Sequence, residues 1–123
     1  FTSTDIELQS VEMDGSLTQT PEFPYNWMYD GSRPQMPGFE MEITCKSLFL
    51  IFKDSGEMDV GKADVFVNDV YCMTADPHKN NWLHCNAVLL FWETESRSHK
   101  VRITVTEEDQ NKKFTILGFG YTI

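Results

Sequence analysis

The sequence predicts an all-β fold, an antiparallel β-sandwich or jelly roll of about eight strands. Two observations carry that expectation. Ala63, Val65 and Val67 alternate with Lys62, Asp64 and Phe66, and Val101, Ile103 and Val105 alternate with Lys100, Arg102 and Thr104. A period of two gives each strand one buried and one wet face, as antiparallel sheets require. Turn signals also recur along the chain and leave little room for helix.

Taken in order, Ile6 to Met13 makes a first strand that ends at the Asp14-Gly15 turn. Phe39 to Cys45 directs Phe39, Met41, Ile43 and Cys45 inward against Glu40, Glu42 and Thr44, and Ser47 to Lys53 follows. Lys62 to Val67 and Val70 to Thr74 flank a tight Asn68-Asp69 turn. Asn86 to Glu93, His99 to Thr106 and Phe114 to Tyr121 complete the set. Alternation puts Trp92 opposite Phe91 and on the face of Leu90, which makes it core or rim. Two long irregular segments interrupt the strands. Thr18 to Gly38 holds four of the five prolines, and Ala75 to Cys85 centres on Trp82. Long loops on a rigid scaffold are where function tends to sit.

At 123 residues the chain reads as a single domain, residues 1–123, large enough to bury a core without a metal or disulfide framework. Lys and Arg number 10 against 19 Asp and Glu, a formal charge of −9. Such a chain repels nucleic acid, anionic lipid and polyanionic polysaccharide, so an uncharged partner fits better. Apolar runs such as Leu48 to Phe52 are strand length, and no stretch approaches the roughly 20 residues of a membrane span. A soluble chain is expected, with no nucleic-acid or membrane partner. The start at Phe1, without an initiator methionine, suggests a segment of a longer or processed protein.

Cys45, Cys72 and Cys85 read as buried small hydrophobes. Cys72 and Cys85 are an alternative disulfide pair, suited to an extracellular site. A zinc site of Cys72, His78, His84 and Cys85 matches no usual ligand spacing. Nucleophile motifs are missing: there is no G-x-S-x-G, and Asp14-Gly15-Ser16 and Asp30-Gly31-Ser32 read as turns. The expectation is a non-enzyme without a cofactor or metal site. Glu107-Glu108-Asp109 is a solvated turn; a structural calcium there, or near Asp54, Glu57 and Asp59, is the alternative.

The loop aromatics carry the chemical signal. Sugar rings stack their C–H faces on flat indole or phenol rings, while polar side chains bond the hydroxyls. Trp27 with Tyr25, Tyr29, Asn26, Asp30 and Arg33, and Trp82 with Asp76, Asn80 and Asn81, supply both kinds of group. Plugging the end of a sandwich is the competing role for Trp27 and Tyr25, and to a lesser degree for Trp82. Phe66 reads as paving of the second sheet surface.

A longer pattern extends this reading. Gly61-Lys62-Ala63-Asp64-Val65-Phe66-Val67-Asn68-Asp69, then Asn81-Trp82, Val88-Leu89-Leu90-Phe91, Glu95-Ser96, His99-Lys100-Val101-Arg102-Ile103 and the ending Asn111 to Tyr121 resemble the jelly-roll accessory domain of SGNH/GDSL-type esterases from anaerobic, fibre-degrading Firmicutes. Pro21 to Pro34 extends the likeness, which covers roughly residues 20 to 123. The sequence departs from that pattern at Asn80 to His84 and at Cys72 and Cys85.

The resemblance implies a noncatalytic carbohydrate-binding module in a secreted or cellulosomal enzyme that degrades plant cell walls, with a catalytic domain attached covalently. Neutral polysaccharide is the expected ligand, a β-1,4-glucan or xyloglucan. Trp27, Tyr29, Trp82, Asn81, Trp92 and Tyr25 are the expected binding residues. A structural or lid domain of a carbohydrate esterase, and a protein-interaction module, are the alternatives.

Overall fold

The computed structural model describes residues 1, 9–11, 17–21, 26–31, 38–79 and 85–123. Its strands are β1 (Gln9–Val11), β2 (Leu17–Pro21), β3 (Trp27–Tyr29), β4 (Phe39–Lys53), β5 (Ala63–Val67), β6 (Val70–Ala75), β7 (Cys85–Val105) and β8 (Phe114–Thr122). β1 and β2 form a small separate hairpin; the other six form one antiparallel sheet in the order β3-β8-β4-β7-β5-β6.

Two strands are far longer than the sequence suggests. Phe39 to Cys45 and Ser47 to Lys53 are one strand, β4, and the segments predicted at Asn86 and His99 are both parts of β7. Their pairing jumps from Cys45↔Arg97 to Ser47↔Trp92. Four residues of β7, Glu93 to Ser96, therefore oppose Lys46 alone, an extended bulge that bends the ladder.

That bend divides the sheet into two layers. β4 residues 39–45 and β7 residues 97–103 continue into β5 and β6, while β4 residues 47–53 and β7 residues 85–92 continue into β8 and β3. Both layers contribute to one buried cluster that includes Leu48, Leu50, Phe52, Phe114 and Ile116 from the second layer and Ala63, Val65, Val101, Ile103 and Val105 from the first. Phe52 and Phe114 stack at 5.6 Å. The predicted sandwich is thus built from a single sheet folded over itself.

The pole away from the bend is tied by backbone bonds between loops. Ser55 N–H donates to the Pro77 carbonyl, Gly61 N–H to Lys113, Lys113 N–H to Asp59 and Thr106 N–H to Lys62. Gly31 belongs to the same pole. Its φ is +77°, and a Cβ there would lie 2.6 Å from the Asn111 carbonyl oxygen, so the turn after β3 admits only glycine.

Among the described residues no group of three His, Cys, Asp or Glu is arranged to hold a metal ion. Asp109 accepts the Lys62 N–H at 2.9 Å and pairs with Lys112 at 3.5 Å. All three cysteines are free thiols. Cys72 Sγ donates to the Leu90 carbonyl at 3.4 Å. Cys85 lies five residues along β7, roughly 16 Å at strand rise, which is beyond the reach of a disulfide.

The Lys62 N–H bond, assisted by Lys112, holds the Asp109 carboxyl below the usual aspartate range. A depressed carboxylate contributes stability that is present above its unfolded pKa and is lost as pH falls through the folded one. Asp109→Asn should therefore lose less stability than the parent when both are acidified from about pH 5 to pH 3, as read by denaturant melts. Parallel losses would show that the carboxylate is not linked to folding.

Candidate functional site

The β7 bulge makes the site where an aromatic and charged groups converge. Trp92, Glu93, Thr94, Glu95 and Arg97 line a cleft of about 320 Å³ at the bend. The Trp92 side chain is 77% exposed. Strict alternation from Leu90 would have buried it, but the ladder shifts there: Leu48 pairs with Phe91 and Phe49 with Leu89, leaving Leu90 as an extra residue. The shift turns Leu90 into the core and Trp92 to the outer face, beside Ser47. The Ser47 and Thr122 hydroxyls bond each other at 2.7 Å on the same rung.

Glu93 organises the polar side. One carboxylate oxygen lies 3.4 Å from Arg97 Nε and the other 3.4 Å from His99 Nε2. His99 is buried, its ring 4.2 Å from that of Phe91. The Nε2 contact falls within ion-pair distance but lacks hydrogen-bond geometry.

The opposite ring nitrogen settles the tautomer. Asn68 Oδ1 accepts the Lys100 N–H at 3.0 Å, which leaves its NH2 group 3.0 Å from His99 Nδ1. An amide nitrogen only donates, so Nδ1 accepts and the neutral ring carries its proton on Nε2, facing Glu93. Asn68 reaches this position because it holds the φ +52° corner of the β5–β6 turn, a conformation that asparagine tolerates.

The other expected ligand residues are scattered. Trp27 is 38% exposed and packs on Phe39 at 5.2 Å and Phe119 at 6.3 Å, at the β3 edge of the sandwich. It pairs with Ile116, whereas Trp92 shares a rung with Thr122, six residues on and three strands across. Strand geometry puts the two indoles roughly 20–25 Å apart, so they do not share one cleft. Tyr29 requires a correction as a stacking residue. It is 3% exposed, packs on Phe1, and donates its hydroxyl to the Gln110 carbonyl, so its ring offers no free face.

Tyr25, Asn81 and Trp82 lie outside the described residues. The flanks of the Trp82 segment, Asp76, Lys79 and Asn86, line a cleft of about 430 Å³ together with Phe52, Met73, Thr74 and Val88. Met73 belongs to the edge strand β6, and Val88 to the part of β7 that pairs with β4 alone, so this cleft opens along one side of the sandwich.

The described histidines and two of the thiols have defined surroundings. His78 Nε2 bonds the Glu57 carbonyl at 2.8 Å and Nδ1 faces Asp76 at 3.9 Å. Neither His78 nor His99 hydrogen-bonds a hydroxyl or thiol. Burial raises the Cys45 and Cys72 thiols, with the Glu93 charge adding to the effect at Cys45. Neither is an activated thiolate.

The fold has a solved counterpart. The chain is similar to a family two carbohydrate esterase from Cellvibrio japonicus, with a TM-score of 0.52 and 14% sequence identity over 88% of this chain and 27% of that one. The likeness is one of fold, and this chain spans about a quarter of the esterase structure. No protein-family model and no curated protein matches the chain.

The His99 geometry yields a direct test. Nitrogen-15 spectra of the neutral ring should show the Nε2–H tautomer, and Asn68→Gly, which keeps the positive φ, should release a mixture of both. An Nδ1–H ring in the parent would overturn the assignment of the amide.

Proposed function

We propose that this chain is a noncatalytic carbohydrate-binding module, and that the Trp92 cleft binds a neutral plant cell-wall polysaccharide of the β-1,4-glucan or xyloglucan kind. The exposed Trp92 indole beside Glu93, Glu95 and Arg97 carries this reading. An indole exposed over most of its surface costs hydrophobic free energy unless something covers it. The C–H face of a pyranose ring matches it, and carboxylate and guanidinium groups bond the ring hydroxyls at the rim. The formal charge of −9 argues for a neutral glycan over a polyuronate. On this reading the module belongs to a secreted enzyme that degrades plant cell walls, and delivers an attached catalytic domain to its substrate.

A second reading is favoured by the outer face of the second layer. Phe49 and Leu89 pair directly across β4 and β7, and both are exposed. Gly118 and Gly120 of β8 face the same side and leave it without side chains. A smooth apolar face of this kind suits packing against another domain, the role of a structural or lid domain in a carbohydrate esterase.

Affinity electrophoresis against hydroxyethylcellulose, xyloglucan, glucomannan, xylan and pectin separates the two. Retardation by β-glucans but not by pectin is expected. Trp92→Ala should weaken it about 10- to 100-fold, the value of one aromatic stack, with the melting temperature unchanged within a few degrees. Unchanged mobility on every gel would reject the binding module and favour the packing role.

A further inference from the structure

The outer face of the first layer carries a second arrangement of rings and hydrogen-bonding groups, unconnected with Trp92. Successive rungs across the strands define it. Tyr71 pairs with Phe66, and Phe66 with Arg102; Thr74 pairs with Asp64, and Asp64 with Thr104. Paired residues share a face, and the two rungs lie roughly 7 Å apart along the strands. The ladder shift that leaves Cys72 as an extra residue in β6 turns Tyr71 outward beside Phe66.

Each ring is held by a specific contact. The Arg102 guanidinium carbon lies 4.2 Å from the Phe66 ring centroid, and Tyr71 meets Phe66 edge-on at 6.0 Å. Thr74 donates its hydroxyl to Asp64 at 2.7 Å. With that hydrogen committed, the 2.8 Å contact between the Tyr71 and Thr74 hydroxyls must have Tyr71 as donor. The phenol oxygen keeps its acceptor capacity, and the ring is fixed although Tyr71 is 56% exposed. Beyond the second rung, Asp64 and Thr74 continue into an open cleft of about 700 Å³, lined also by Lys62, Thr106, Glu107 and Glu108.

We propose that this face is a second glycan-binding surface, on which one strand of a neutral oligosaccharide stacks at Tyr71 and runs over Asp64 and Thr74 toward Lys62. The proposal rests on the carbohydrate reading given above. Three features select the occupant. A pre-oriented phenol ring suits a pyranose C–H face. A row of acceptors and donors, with Asp64, Thr74 and Lys62 among them, suits hydroxyls, which can both give and accept. The cleft carries one lysine against three carboxylates, which disfavours an anionic chain. Because the rings and the hydroxyl chain are already ordered, little side-chain entropy is lost on binding.

Amide chemical-shift mapping of the whole chain, titrated with cellohexaose and with a xyloglucan oligosaccharide, tests this. The proposal expects a perturbed cluster at residues 64–66, 71–74 and 102–104. Tyr71→Ala should weaken it about tenfold without moving the melting temperature by more than a few degrees. Shifts at residues 91–97 alone would overturn the second surface and leave the Trp92 cleft standing. Shifts confined to the Tyr71 face would support it and displace the Trp92 assignment instead. No shift with either sugar would reject both. Loss of binding in Tyr71→Ala that is matched by a large stability loss, with Asp64→Asn binding normally, would also overturn the proposal.

Discussion

The β4–β7 ladder is the constraint on which the rest of the molecule depends. Two strands of 15 and 21 residues stay paired from one pole to the other, and the pairing survives a bend where four residues of β7 oppose one of β4. β8 and β5 attach to one or other arm of this bent ladder, and β3 and β6 attach to them in turn. Because both arms turn apolar side chains toward each other, closing the bend and burying the core are the same event. Leu48, Leu50 and Phe52 of one arm join Val101, Ile103 and Val105 of the other in a single cluster. At about 25 cal/mol per Å² of apolar surface, that cluster is the main favourable term.

The same bend produces the candidate site. A bulge carries side chains that the ladder no longer constrains, and here they are an indole, two glutamates and an arginine. The buried His99–Asn68 contact braces the bulge from inside, since the β5–β6 turn presents Asn68 to the ring. The site therefore sits on rigid elements, which keeps the entropy cost of binding low. The far pole is occupied by mutually bonded loops, with Tyr29 anchored to Gln110 among them.

Much of the fold was legible because burial enforces period two. The alternations at Ala63 to Val67 and Val101 to Val105 are the ones seen, and the Asn68-Asp69 turn falls where the sequence put it, both residues at positive φ. What failed were features fixed by pairing with distant strands. A ladder shift has no local signature, so Trp92 was placed on the face of Leu90, and two pairs of segments looked like four strands. β3 is three residues long and held by β8, far off in sequence, so it was hidden in a proline-rich stretch read as irregular. Tyr29 looked like its neighbours Trp27 and Tyr25, yet only the tertiary fold decides which aromatic of such a run enters the core. Tyr71 and Arg102 carry no sequence signal of their own, because an outward residue in a regular strand resembles solvated surface until its neighbours across the sheet are known.

The central claim is that a glycan covers the Trp92 indole. Trp27→Phe with Trp82→Phe leaves Trp92 as the sole tryptophan, and its fluorescence can be followed while xyloglucan is added. The account predicts emission that begins as an exposed indole, then moves to the blue and becomes shielded from acrylamide quenching as the polysaccharide binds. Unaltered emission and unaltered quenching at saturating xyloglucan, with the fold intact, would contradict it.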